Sequence, residues 1–300
     1  MYFDLLFILL PLVLGYLVVV QSEAWLHRVN QYCGYMVYFI LFLMGISLSL
    51  IDNFSANASM VVWHAVAFMV GILGANLIGL YFLDRWHHQR VQQARDIKID
   101  KLPMIIESVS LLGVVALGFI LGLFVSLDKA IIDSASEWAL MALLALIGIS
   151  LRNSGIALRE IVLNKSGMKI AITVMITSWL GGIAAAKLVG LPVIHGLAVS
   201  SGFGWYSLSG ILISDGISPL LGAVALISDL GRELVAIFVI PLLIAAKRHS
   251  AIGIGGATSM DFTLPIIQKT GGSDAVPIAI VSGFILSVMA PLCMLFFINF

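Results

Sequence analysis

Charge is scarce in this chain. Only 11% of its 300 residues are Asp, Glu, Lys or Arg, 16 acidic and 16 basic, while 61% are hydrophobic and the mean hydropathy is +1.09. So apolar a composition excludes an ordinary water-soluble globule and makes the chain a membrane protein. The net charge of zero excludes an overall field that would gather nucleic acid or another polyanion. Cysteine is rarer still. Cys33 and Cys293 lie near or within apolar segments and far apart in sequence, which argues against a disulfide framework and against a zinc site and leaves both as small packing residues. No Gly-x-x-x-x-Gly-Lys-Ser/Thr loop occurs, so the chain has no ATP engine of its own, and Gly202-Phe-Gly204 followed by Ser207 does not complete a dinucleotide-binding pattern. No cofactor is called for. A long polar segment is missing too, and with it any separate soluble domain.

What is present is a succession of apolar runs close to or above the ~18 residues needed to cross a hydrocarbon core of about 30 Å. Helices are expected at about 2–20, 34–51, 60–83, 104–127, 137–151, 169–189, 217–246 and 274–299, an all-α polytopic membrane protein of about eight spans. The first run carries Asp4 and no Lys or Arg at its start, and "VVVQSEAW" has no convincing cleavage site, so it reads as a membrane span and not as a removed signal. Basic residues mark alternate connectors: Arg28 in the first, Arg85, Arg90, Arg95, Lys98 and Lys101 in the third, Arg152, Arg159, Lys165 and Lys169 around the fifth, and Lys247 and Arg248 after the seventh span. An excess of Lys and Arg faces the cytoplasm, which puts both termini outside. The polar stretch 84–101, "DRWHHQRVQQARDIKIDK", is then a solvated cytoplasmic loop in which His87 and His88 lack the spacing of a metal site.

Two stretches fit no simple span: 193–215, with "SGFGWYSLSG", and 250–272, with "GGATSMDFTLP" and "KTGG". Their Gly, Ser, Thr and Pro interrupt a helix and free backbone groups that lipid cannot satisfy, so such backbone belongs where protein buries it or where it lines a watery cavity. Both are expected to be re-entrant hairpins or broken helices, the first entering from outside and the second from the cytoplasm. Full crossing by both is the alternative, and would give ten spans and move Lys247 and Arg248 outside. A short repeat, "LMGISLSLIDN" at 43–53 and "LIGISLRNSG" at 146–155, recurs three spans apart. That offset inverts orientation, so spans one to three and four to six read as an inverted repeat. The chain divides accordingly into a first three-helix unit at 1–83, a second at 104–189, and a broken-helix region at 193–300. Gly118 and Gly122 form a small-xxx-small pair that suits close helix packing within one subunit or between two, packing within the subunit being the simpler expectation and the oligomeric state left open.

Charges inside apolar runs are the functional candidates. In "LISDLGRELVAIF", Asp229 stands three residues before Arg232 and four before Glu233, so a helix lets Asp229 pair with Arg232 and leaves Glu233 as the remaining carboxylate of the span. Asp261 is a second acid set among uncharged residues. A charge at the bilayer centre costs roughly 2.5–3.5 kcal/mol or more on insertion scales, which marks both acids as functional. The bland alternatives are that Glu233 pairs with Arg232 and that Asp261 caps the helix beginning at "FTLP".

"SGFGWYSLSGIL" at 201–212, "DLGRELVAI" at 229–237, "GATSMDFTLP" at 256–265 and "LFLMGISL" near the start resemble the LysO family of bacterial lysine exporters over essentially the whole chain. The resemblance implies export of L-lysine, and possible lysine analogues, across the bacterial inner membrane, with Glu233 and Asp261 at the positions of the family's functional acids. Lysine carries two ammonium groups and one carboxylate. Glu233 and Asp261 supply anionic partners; helix N-termini near Gly202–Gly204 or Gly255–Gly256 could hold the carboxylate, Ser207, Ser209, Thr258 and Ser259 add hydroxyls, and Trp205 and Tyr206 offer faces for an ammonium or, more simply, packing. Exchange with an incoming proton would cancel the electrical work of exporting a cation. An intramembrane protease is the enzymatic alternative, using Ser209 with His195 or His249, or pairing Asp229 with Asp261. A passive channel, or an exporter of another small cationic metabolite, is the other.

Overall fold

The computed structural model describes residues 10–11, 13–20, 22–50, 54–86, 102–125, 128–153 and 164–300. Among them every regular element is helical: α1 Glu23–Ser49, α2 Phe54–Trp86, α3 Leu102–Phe124, α4 Lys129–Arg152, α5 Lys165–Val189, α6 Val193–Ser200, α7 Tyr206–Gly216, α8 Pro219–Leu243, α9 Arg248–Gly255, a 3-10 turn Gly256–Met260, α10 Leu264–Gly271 and α11 Val276–Ile298, which follows a second short 3-10 turn. Among the described residues five helices, α1, α2, α4, α5 and α11, are long and apolar enough to cross a membrane. α8 is as long as α5, at 25 residues, and departs from them only in its charged middle. The protein is a polytopic helical membrane protein.

Most expected spans coincide with helices, and two starts shift by two turns or more. α1 begins at Glu23 and not near 34, and α4 at Lys129 and not at 137. Neither "EAWLHRVNQYC" nor "KAIIDSAS" contains Gly or Pro, so nothing stops the helix where the apolar run stops. The extra turns of α1 carry exposed Trp25 and Tyr32, side chains suited to the headgroup layer. Of the first expected span, 10–11 and 13–16 are helical and 2–9 lies outside the described residues, as do His87 and His88.

Close helix contact is made by glycine. α2 and α5 run antiparallel with Gly71 against Gly181, where a side chain at Gly181 would come within 2.5 Å of the Gly71 carbonyl oxygen. Gly118 and Gly122 of α3 face Phe42 and Ser49 of α1 with no room for a Cβ. The small-xxx-small pair thus packs inside the subunit. Gly15 makes the same kind of contact with Ala145 of α4, and Asn153 at the end of α4 accepts from the Val20 N–H at 2.8 Å and donates to the Val18 carbonyl at 3.0 Å. Residues 42 to 49 run parallel to 118 to 122, and 15 to 20 parallel to 145 to 153.

The interrupted segments place the site. Near the start of α6, Leu191 and His195 share a cleft with Met60, His64, Ile217 and Ser218; α7 therefore ends at the same end of the bundle where α6 begins. α9 begins and α10 ends at the other end: Asp84, near the C-terminus of α2, accepts from the N–H groups of His249 and Ser250, each at 2.9 Å, and Gly271 packs on Ile244. Asn164, the N-cap of α5, donates to the Pro277 carbonyl at the same end, 3.0 Å away. Each pair is a hairpin that turns back inside the bundle. The first turns at 201–205, held by Gly204 at φ 92 and by Phe203 at φ 50; the second turns through the 3-10 segment, with Gly256 at φ 60.

Candidate functional site

The two hairpin tips touch. The Ala257 N–H donates to the Phe203 carbonyl at 3.0 Å, and a side chain at Gly256 would collide with that same carbonyl oxygen. A φ of 60° with ψ of −133° is open essentially to glycine alone. Sequence and geometry agree at this position: only Gly256 lets the second tip reach the first. Phe203 is fully buried, and its ring lies 6.3 Å from Trp179 of α5, whose indole N–H donates to Ser201 Oγ at 2.9 Å. α5 thus anchors the first tip by a tilted ring contact and a hydrogen bond.

α8 passes behind the tips and carries the charges. Its start is fixed by Ser218, which accepts from the Leu221 N–H at 3.3 Å, with Pro219 as first residue, a favourable helix opening. Ten residues on, Asp229 is buried against Arg232 and Ser209: Arg232 Nη1 donates to Asp229 Oδ1 at 2.9 Å and Ser209 Oγ donates to Oδ2 at 2.7 Å. The Gly204 N–H is a further donor to this carboxylate, and Gly202 approaches Oδ2 so closely that a Cβ there would overlap it. The expected Asp229–Arg232 pair therefore forms, and α7 clamps its acidic member. Arg232 is 1% exposed. Its Nε and Nη2 have no hydrogen-bond partner among the described residues, and a buried donor left unmet costs about 1–3 kcal/mol or more.

Glu233 is likewise buried, at 3% exposure, as an acid one position along α8 should be when the helix is enclosed by hairpins. Asp261 is not. It stands exposed where the 3-10 turn gives way to α10, because the chain leaves the packed tip at that bend. Thr263 holds the cap position of α10, without a side-chain cap bond, and Asp261 Oδ1 accepts from the adjacent Phe262 N–H.

The remaining expected residues separate into two groups. Ser209 joins the Asp229 cluster. Thr258 Oγ1 donates to the Gly255 carbonyl at 2.8 Å, and Ser259 Oγ to the carbonyls of Gly256 at 2.8 Å and Ala279 at 3.0 Å, so these hydroxyls hold the second tip in shape and tie it to α11. Ser207 is half-buried, and Trp205 and Tyr206 pack against the apolar core. Gly202–Gly204 precede the N-terminus of α7. Gly255 instead closes α9. It is a helix C-terminus, whose carbonyls carry the negative end of the dipole and favour a cation over a carboxylate.

Two acids were not singled out by the sequence. Asp84 gathers, besides the two N–H groups of α9, His249 Nδ1 at 2.7 Å and Ser250 Oγ at 2.5 Å. Its partners are 165 and 166 residues away, and it sits at the edge of a polar run, so no local signal reveals it. Asp215 lies at the far end of the first hairpin in a cavity of about 280 Å³, lined also by Ser47, Ser136, Ser214 and Ser218. The protease geometries are not assembled here. Ser209 donates to Asp229, His195 and His249 lie at opposite ends of the bundle, and Asp229 is committed to Arg232.

A polytopic helical membrane protein with a buried acid–arginine–acid cluster where two hairpins meet belongs by architecture with membrane proteins that handle polar solutes inside the bilayer. The family described as lysine exporter LysO matches residues 112–298. The chain is 45% identical to "Lysine exporter LysO" of Escherichia coli (strain K12) over 306 residues, 99% of each chain, and 40% identical over 190 residues to "Putative lysine exporter" of Haemophilus influenzae (strain ATCC 51907 / DSM 11121 / KW20 / Rd), 63% of this chain and 97% of that protein. No solved structure matches it. The chain belongs to the lysine exporter LysO family.

Proposed function

We propose that this protein exports L-lysine across the bacterial inner membrane in exchange for protons. The observation that carries the reading is the charged middle of α8, Asp229, Arg232 and Glu233, buried at the meeting of two hairpin tips in a chain whose relatives are named lysine exporters. Exporting a cation from a negative-inside cell works against about 2.3 kcal/mol per 100 mV. One proton entering per lysine leaving removes that electrical work. Glu233 is the carboxylate suited to the exchange, holding a proton in one half-cycle and an ammonium in the other, so that it is neutral in both. Asp261, exposed at the bend after the second tip, is the acid that meets lysine arriving from the cytoplasm. The serine-lined cavity with Asp215, at the other end, is its release vestibule.

The membrane arrangement follows from the same reading. We assign eight spans and two re-entrant hairpins, with both termini outside and the basic 85–101 connector inside. Spans one to three and four to six form an inverted repeat, and 193–300 forms the site region. The parallel contacts of α1 with α3 and of residues 13–20 with α4 support the repeat, since exchanging the two halves exchanges these two contacts. Alternating access is then a rocking of the hairpins against the scaffold.

The test is efflux of labelled lysine from proteoliposomes with and without an opposing proton gradient, comparing wild type with Glu233→Gln and Asp261→Asn. Uphill efflux that the gradient drives and Glu233→Gln abolishes is the expected result. Efflux that only runs downhill would make the protein a channel, and a pH dependence unchanged in both variants would remove the carboxylates from coupling.

A further inference from the structure

Arg232 is placed as more than a partner for Asp229. Asp229 uses Nη1. Nε and Nη2 share the opposite edge of the guanidinium, where two parallel N–H bonds form the fork that fits a carboxylate. Both atoms are buried and without a partner among the described residues. Nη2 also points at the junction of the tips: a methyl placed on Gly256 would lie 3.7 Å from it, and one on Gly204 4.0 Å. Both of these tip positions are glycine. Asp229, held in turn by Ser209 and Gly204, fixes the guanidinium so that the fork keeps facing the junction.

We propose that the Nε/Nη2 edge of Arg232 binds the α-carboxylate of the exported amino acid when the contact between Phe203 and Ala257 parts. This rests on the export reading above and deepens it by assigning the carboxylate subsite. The charges then balance. Asp229, Arg232 and Glu233 together carry one net negative charge, and lysine brings one net positive charge. A neutral amino acid leaves the site negative; a diamine lacking the carboxylate leaves it positive and leaves the Arg232 fork unmet. Selection for a basic amino acid over a diamine is therefore built into α8. Replacing Arg232 by a neutral residue makes the cluster doubly negative, which matches a diamine and not lysine.

The experiment is equilibrium binding of labelled L-lysine to the purified full-length protein, competed by unlabelled L-lysine, L-lysinamide and 1,5-diaminopentane. It is run on wild type, Arg232→Gln and the double variant Asp229→Asn with Arg232→Gln. The double variant keeps the cluster's net charge and avoids a lone buried carboxylate, so it separates loss of the fork from failure to fold. Wild type is expected to prefer lysine over both competitors by about 10- to 100-fold, the worth of a charged hydrogen-bonded pair. In the variants that preference is expected to disappear, and in Arg232→Gln to reverse in favour of the diamine. Equal binding of lysine and diamine by wild type, or a preference that survives in the double variant, would overturn the assignment while leaving lysine export standing. Wild type that binds no lysine would remove the export reading, and this one with it.

Discussion

At the scale of single residues, partners close in sequence are legible and partners far apart are not. Asp229 and Arg232 are three apart on one helix, and their 2.9 Å contact follows from helical spacing alone. Ser209, twenty residues before Asp229, could be recognised only as a hydroxyl in a broken segment, since its partner depends on how the hairpin folds back. Asp84 is the extreme case. It acts as a cap in trans, placing a carboxylate at the positive end of α9. Loss of a helix cap costs about 0.5–2 kcal/mol, so Asp84→Ala is expected to lower the thermal unfolding midpoint in detergent. Asp84→Asn, which retains an acceptor oxygen, is expected to lower it by less. Equal loss in both variants would mean that charge and not hydrogen bonding carries the contact.

At the scale of elements, the breakers in "SGFGWYSLSG" and "GGATSMDFTLP" announced interruption, and both segments are interrupted where those residues lie. Helix polarity was harder to read. "AIGIGGATS" gives no cue that Gly255 ends one helix and does not start the next, and that difference changes the end from anion-binding to cation-favouring. Burial of Asp261 was overestimated for a related reason: an acid flanked by apolar letters is buried only if its own bend is enclosed, and 261–263 leaves the packed tip. The glycines of the tips make a graded prediction. Gly204→Ala, at φ 92, meets nothing closer than 3.6 Å, whereas a side chain at Gly256 strikes the Phe203 carbonyl. Positive-φ strain costs on the order of 1–3 kcal/mol in either case, and only Gly256→Ala adds the collision that separates the tips. Lysine efflux and unfolding temperature are expected to fall in both variants and markedly further in Gly256→Ala. The reverse order would show that tip contact is not needed for transport.

At the scale of the whole molecule, hydropathy found the long apolar helices, but the turning back of the hairpins depends on which ends meet. Helices too short to cross a membrane give no sign of that in composition. α6 and α7 have 8 and 11 residues, at 1.5 Å per residue roughly half a bilayer each, which suits two half-crossings as well as one broken crossing. The contacts decide between these for the fold, and labelling decides it for the membrane. Single cysteines at exposed Val193, Asp215, Ala246 and Asp274, in a chain with Cys33 and Cys293 replaced by alanine, are tested with an impermeant maleimide from each face. Re-entrant hairpins place 193 and 215 together on the outer face and 246 and 274 together on the inner face. Two full crossings would instead pair 193 with 246 and 215 with 274. The first pattern also puts the Asp215 cavity outside and the Asp84 cap inside, so that in the proposed export cycle each hairpin would close the site from its own face.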